Sequence, residues 1–107
     1  MSRTPITVEL GGEIRALRYD LNAMVALKEA TGINMLNADA AMDYSDPGIL
    51  RAMVWAGLLH SAPLLQKADV GGWIDLSNMA PVAAKVVEAI ASAMGPEVPS
   101  EKVNPTA

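Results

Sequence analysis

Residues 47–61 leave few places for themselves in a folded chain. The run is Pro47-Gly48-Ile49-Leu50-Arg51-Ala52-Met53-Val54-Trp55-Ala56-Gly57-Leu58-Leu59-His60-Ser61. Asp46 stands before it as a helix N-cap, with proline at the first helical position. Pro63 breaks the helix at the far end. Only Arg51 and His60 are strongly polar, so this second long helix is apolar nearly all round. A helix without a polar face has to be covered on every side. Either it is the central helix of a small α+β domain, or another subunit covers part of it. The uncharged stretch from Ala52 to Gln66 contains His60, Ser61 and Pro63 and is too short to span a bilayer.

The flanking segments define the rest of the domain. Ile6-Thr7-Val8-Glu9-Leu10 alternates apolar and polar residues, Gly11-Gly12 supplies a turn with positive φ, and residues 13–19 return. A two-residue loop sets Val8 opposite Arg15. A three-residue loop sets Leu10 opposite Ile14, Val8 opposite Ala16 and Glu9 opposite Arg15. The second register is expected, because it gives one apolar face and a cross-strand ion pair. An isolated hairpin is marginal in water, so this one lies on helices or joins a neighbour's sheet. Asp20 caps a first helix over 21–31, with Leu21, Met24, Val25 and Leu27 giving an apolar face and Gly32 ending it. An apolar patch at Ile33, Met35 and Leu36 and a polar loop over 37–47 follow. A third helix is expected over 67–76, with Val70, Trp73 and Ile74 at helical spacing. Ser77 or Asn78 caps a fourth, which carries Pro81 in its first turn and turns Val82, Val86, Ile90 and Met94 inward. Lys85, Glu88 and Ser92 form its outer stripe. Gly95-Pro96 stops it, and residues 96–107 hold little to bury, so a disordered tail is expected. The expected architecture is α+β: residues 1–95 form one domain, a hairpin packed on about four helices.

Composition narrows the chemistry. Of 107 residues, twelve are acidic and eight basic, giving a net charge of −4. With a pI near 4.7, this argues against a nucleic-acid footprint and against adhesion to anionic membranes. There is no cysteine and one histidine. Disulfides, thiol catalysis and zinc–thiolate sites are thereby excluded, and a His-rich metal site cannot be built within one chain. Ser61 and Ser77 lie in no nucleophile-elbow context. His60 reads as a residue at a helix C-terminus that satisfies carbonyls and the dipole. Asp39, Asp43 and Asp46 lack the calcium-loop pattern and read as caps and solubilising charges. Gly11-Gly12 and Gly71-Gly72 fit no phosphate-binding motif. No cofactor or metal is expected. Trp55 and Trp73 are sharper candidates. Large aromatics fill cores, and they also anchor interfaces. The first ten residues, MSRTPITVEL, contain no apolar targeting run.

The order of these elements, with the residues in them, resembles the tail assembly chaperones of long-tailed phages, specifically their gene-transfer-agent-like class of small tail proteins. The resemblance is carried by Leu10-Gly11-Gly12, Ala16-Leu17-Arg18-Tyr19, Asn22-Ala23, Leu27, Glu29 and Thr31-Gly32, and further on by Leu50-Arg51-Ala52, Trp55-Ala56-Gly57-Leu58 and Asp69-Val70-Gly71. It spans about residues 6–95. Gln66 departs from the pattern, which has a Ser or Thr cap there. The resemblance implies a non-enzymatic phage or prophage protein of the host cytoplasm. Such a protein self-associates and coats the helical, aggregation-prone tape measure protein while the tail tube protein polymerises around it. The alternative is a minor structural tail component retained in the virion. The resemblance transfers no catalytic positions. Arg51, Trp55 and Leu59 on the second long helix, together with Trp73, are the candidate partner-binding residues.

Overall fold

A computed structural model describes residues 5–35 and 43–94. The order is β1 (Ile6–Leu10), β2 (Glu13–Leu17), α1 (Leu21–Thr31), α2 (Pro47–Leu58), α3 (Lys67–Trp73) and α4 (Met79–Met94). This is the expected α+β architecture, a two-stranded antiparallel hairpin with four helices. The tail over 96–107, the Gly95-Pro96 stop, Leu36, Asn37 and Asp39 lie outside the described residues, as does the side chain of Met94.

The helix starts follow their caps. The Asp20 carboxylate accepts from the Ala23 N–H at 2.9 Å, and Asp46 accepts from the Gly48 and Ile49 N–H groups. Gly32 adopts φ 80° and donates its N–H to the Lys28 carbonyl, closing α1. The α3 start departs from a hydroxyl cap: the Asp69 carboxylate reaches back to the Gln66 N–H at 3.2 Å. An acid at the third helical position, in the first turn, thus serves where Ser or Thr is absent.

Two helix ends differ from expectation. α2 stops at Leu58 rather than Ser61. The chain tightens there, with Leu59 N–H bonding to the Ala56 carbonyl and Ser61 N–H to that of Leu58, three residues back in each case. α3 stops at Trp73 rather than Leu76, because Ile74 is extended at φ −117°, ψ 128°. Local bonds compete with the helix here. Asp75 accepts from both the N–H and the hydroxyl of Ser77, Asn78 accepts from the Asp75 N–H, and the Asn78 amide donates to the Trp73 carbonyl at 3.0 Å.

The hairpin register corrects the three-residue loop. Leu10 pairs with Glu13, Glu9 with Ile14, Val8 with Arg15, Thr7 with Ala16 and Ile6 with Leu17. Gly11 and Gly12 both take positive φ, at 60° and 79°. That is the condition for the two-residue loop whose twist matches the strands. The cost to the alternation is small, since Arg15 lies on the inner face with its stem covered and its guanidinium stacked on Trp73. Ile14 turns out to solvent at 76% exposure. The expected Glu9–Arg15 ion pair is replaced by a longer contact of Arg15 with Glu13, 3.8 Å.

The core gathers the inner hairpin face (Val8, Leu10, Leu17), Tyr19, Ala23 and Leu27 of α1, Val70 of α3, and Val82, Val86, Ala89 and Ile90 of α4. All of it surrounds α2, which packs against α1, α3, α4 and β2. Seven residues of α2 are buried, from Leu50 to Leu58, leaving Arg51 exposed and Ile49 and Trp55 half-buried. The fold of one chain thus covers the apolar helix. α1 is less amphipathic than expected, for Leu21 and Val25 point outward.

One contact shows how closely the pieces approach. The Tyr19 ring lies where Gly57 has no side chain; a Cβ at Gly57 would sit 2.9 Å from Cζ and the hydroxyl oxygen. The hydroxyl donates to the Met53 carbonyl at 2.6 Å. Gly57→Ala is expected to destabilise by about 2 kcal/mol through overpacking, although alanine favours helix. Gly72→Ala, where no atom lies within 4 Å of the added carbon, gains about 0.5–1 kcal/mol from propensity. Urea denaturation of the pair measures both signs.

Burial, with Tyr44 nearby as a lesser influence, pushes the Tyr19 phenol well above its ordinary value of 10.0. A folded-state value above the unfolded one means stability that is complete below pH about 10 and lost as pH rises through that value. Tyr19→Phe is expected to cost about 1 kcal/mol at neutral pH through its lost hydrogen bond. It should also flatten the alkaline loss seen in a pH series of melting temperatures.

Candidate functional site

The four candidate residues fall in two places. Arg51 and Trp55 are four apart on α2 and meet the segment leading into and through α3. The Arg51 stem lies over Gly71, where an added Cβ would come within 3.1 Å of Cδ. The Trp55 indole N–H donates to the Leu65 carbonyl at 2.8 Å, and the Lys67 ammonium stands 5.3 Å from its ring centroid. Trp55 is therefore half-buried and satisfied at its polar edge. It fixes the 59–66 connection as well as offering surface. Leu59 is half-buried just past the end of α2.

Trp73 is elsewhere. Its indole packs on the hairpin turn, with Nε1 2.7 Å from the position of a Cβ at Gly11, and the Arg15 guanidinium lies 4.0 Å above its ring. Arg15 also donates from Nε to the Leu10 carbonyl. Cation, ring and turn glycine form one stack joining α3 to the hairpin. The half-buried Trp73 is a clasp between elements, and it is not brought together with Trp55.

His60 does not satisfy the end of its own helix, contrary to expectation. Its Nε2 lies 2.9 Å from the Ala16 carbonyl oxygen of β2. A carbonyl only accepts, so Nε2 donates. The Arg18 N–H donates in turn to the Gly57 carbonyl at 2.9 Å. Together these bonds dock the outer edge of β2 on the C-terminal end of α2. No hydrogen bond links His60 to a serine or aspartate among the described residues. Among the same residues no group of three or more His, Asp or Glu is placed to hold a metal. Asp43 and Asp46 instead accept local bonds, from Ser45 and from the first turn of α2. The two Ser45 bonds hold the Asp43 carboxyl below the usual carboxylate range, and the Ser77 bonds do the same for Asp75.

Two grooves lie among the described residues. One, of about 350 Å³, runs between α2 and α3 and is lined by Leu50, Arg51, Gly71, Ile74 and Met79. The other, of about 710 Å³, lies between the hairpin and the C-terminal half of α4 and includes Ile6, Arg18, His60 and Ala89. The largest apolar exposures near the candidate residues were not singled out from sequence. Leu64 and Leu76 bracket α3 and are 88% and 91% exposed. Nothing in the pattern of apolar residues separates them from core leucines; only their place beside Pro63 and in the Asp75–Asn78 turn hints at it.

Comparison with protein-family models, with curated proteins and with solved structures finds no match for this chain.

If Arg15 clasps Trp73, removing it should loosen the hairpin turn. In a Trp55→Phe background, where Trp73 is the remaining indole, Arg15→Ala is expected to shift Trp73 fluorescence to the red. The same change should lower stability by about 1 kcal/mol through lost stacking and stem packing. Arg15→Lys should retain part of both.

Proposed function

We propose that this chain is a non-enzymatic phage or prophage tail assembly chaperone, which self-associates and binds the helical tape measure protein during tail tube assembly. The observation that supports the reading best is that the residues carrying the resemblance are contact partners across elements. Tyr19 rests on Gly57 and Arg51 on Gly71. Short motifs far apart in the chain thus belong to one packing scheme.

The surface suits such a client. Leu64 precedes α3 and Leu76 follows it, both strongly exposed. In this reading the two leucines are the side chains that an amphipathic helix of the client covers, since such a helix offers matching side chains at every turn. The net charge of −4 keeps the carrier soluble while it holds the client.

Co-expression with the tape measure protein is expected to raise the soluble fraction of that protein; an unchanged fraction contradicts the reading. The double variant Leu64→Asp/Leu76→Asp should leave stability within about 0.5 kcal/mol, since both side chains are exposed. It should nevertheless lose most of the solubilising effect. Mass spectrometry of purified particles tests the alternative of a minor tail component: the chaperone is absent from them, the tail component present.

A further inference from the structure

We propose that the open edge of β1 pairs antiparallel with the same edge of a second copy, about a two-fold axis at Val8, so that two hairpins form a four-stranded sheet. The inference deepens the self-association in the functional reading and rests on it to that extent.

The two edges of the hairpin differ. Leu10 pairs with Glu13 across a two-residue loop, which makes Leu10, Val8 and Ile6 the residues whose N–H and C=O face β2. Thr7 and Glu9 then direct theirs outward on the β1 edge, and Ile14 and Ala16 do so on the β2 edge. The β2 edge is partly taken by α2: the Ala16 carbonyl accepts from His60, and just past the strand the Arg18 N–H donates to the Gly57 carbonyl. On the β1 edge no partner for the backbone groups of Thr7 or Glu9 exists among the described residues. Both residues are exposed. An edge of this kind is a template for another strand.

The occupant and register follow from what the edge carries. It presents two donors and two acceptors, and a two-fold axis at Val8 matches them completely. Thr7 then faces Glu9 of the second copy, and Glu9 faces its Thr7. Shifting the axis to Thr7 sets the Glu9 carbonyl against Pro5, which has no N–H. Shifting it to Glu9 opposes two carboxylates, which is destabilising. The edge is thus complementary to itself in one register only. That register also continues the apolar inner face, Val8 beside Val8.

The geometry separates pairing from folding. The N–H of Thr7 points away from β2, so Thr7→Pro removes an edge donor and leaves the β1–β2 ladder intact. Val8→Pro breaks the ladder itself. Analytical ultracentrifugation of the isolated chain over a concentration series is the test. The unaltered chain should associate reversibly, and Thr7→Pro should be monomeric with an unchanged far-UV spectrum. Thr7→Glu, which sets Glu against Glu9 twice per dimer, should weaken association about tenfold. Adding Glu9→Lys to that variant should restore it, and this charge series still decides if Thr7→Pro fails to fold. A chain that stays monomeric at all concentrations, or a Thr7→Pro variant that associates as before, overturns the proposal. A dimer that needs this edge yet leaves the tape measure protein insoluble contradicts the functional reading alone. A monomer that solubilises it contradicts the edge alone.

Discussion

The fold depends on covering one helix. α2 carries too little polarity to face water, and α1, α3, α4 and β2 all pack against it. Tyr19 enters the space left at Gly57 and bonds the Met53 carbonyl. Arg18 and His60 tie β2 to its C-terminal end, Trp55 holds the following connection through the Leu65 carbonyl, and Arg51 lays its stem on α3. Apolar burial supplies the driving force, at roughly 25 cal/mol per Å². The few directed bonds decide which elements meet where. No charged side chain enters the core among the described residues, so the arrangement carries no buried ionic cost.

This use of α2 sets limits on function. The apolar run that first suggests a binding helix is consumed as the core, and a partner meets what remains outside. Trp55 and Trp73 are half-buried and committed to Leu65 and to Arg15 with Gly11. The most exposed large apolar side chains instead stand in the connections around α3, at Leu64 and Leu76, with Ile14 on β2 and Leu21, Val25 and Val87 on outer helix faces. Under the proposed function, Leu64 and Leu76, with the open β1 edge, are where other chains would meet this domain without disturbing its core.

Much of this was legible in the sequence, for reasons that are local. Asp20, Asp46 and Gly32 marked helix boundaries because a cap is decided by a few adjacent residues. The inward set Val82, Val86 and Ile90 followed from helical period, and all three are buried. What failed was decided across the fold. The hairpin register is not legible locally, because Arg15 counts as polar in an alternation pattern, while in the folded chain Trp73 gives it a place on the inner face. The ends of α2 and α3 moved inward because i→i−3 bonds and the Asp75–Asn78 turn outcompeted two or three further helical residues. His60 was placed at a helix end correctly, but its partner is a strand carbonyl forty-four residues earlier, beyond any local rule. The candidate surface was half visible: the tryptophans stood out by type, whereas Leu64 and Leu76 are ordinary leucines until the fold leaves them outside.

The central claim is that one chain covers α2 by itself. Hydrogen exchange of the α2 amides, followed at a concentration where the protein is monomeric and again where it associates, tests it most directly. The account predicts that amides from Met53 to Leu58 exchange only through global unfolding, with the same protection at both concentrations. Protection that appears in the associated state and is missing in the monomer would mean that a second subunit covers the helix, and would contradict the account.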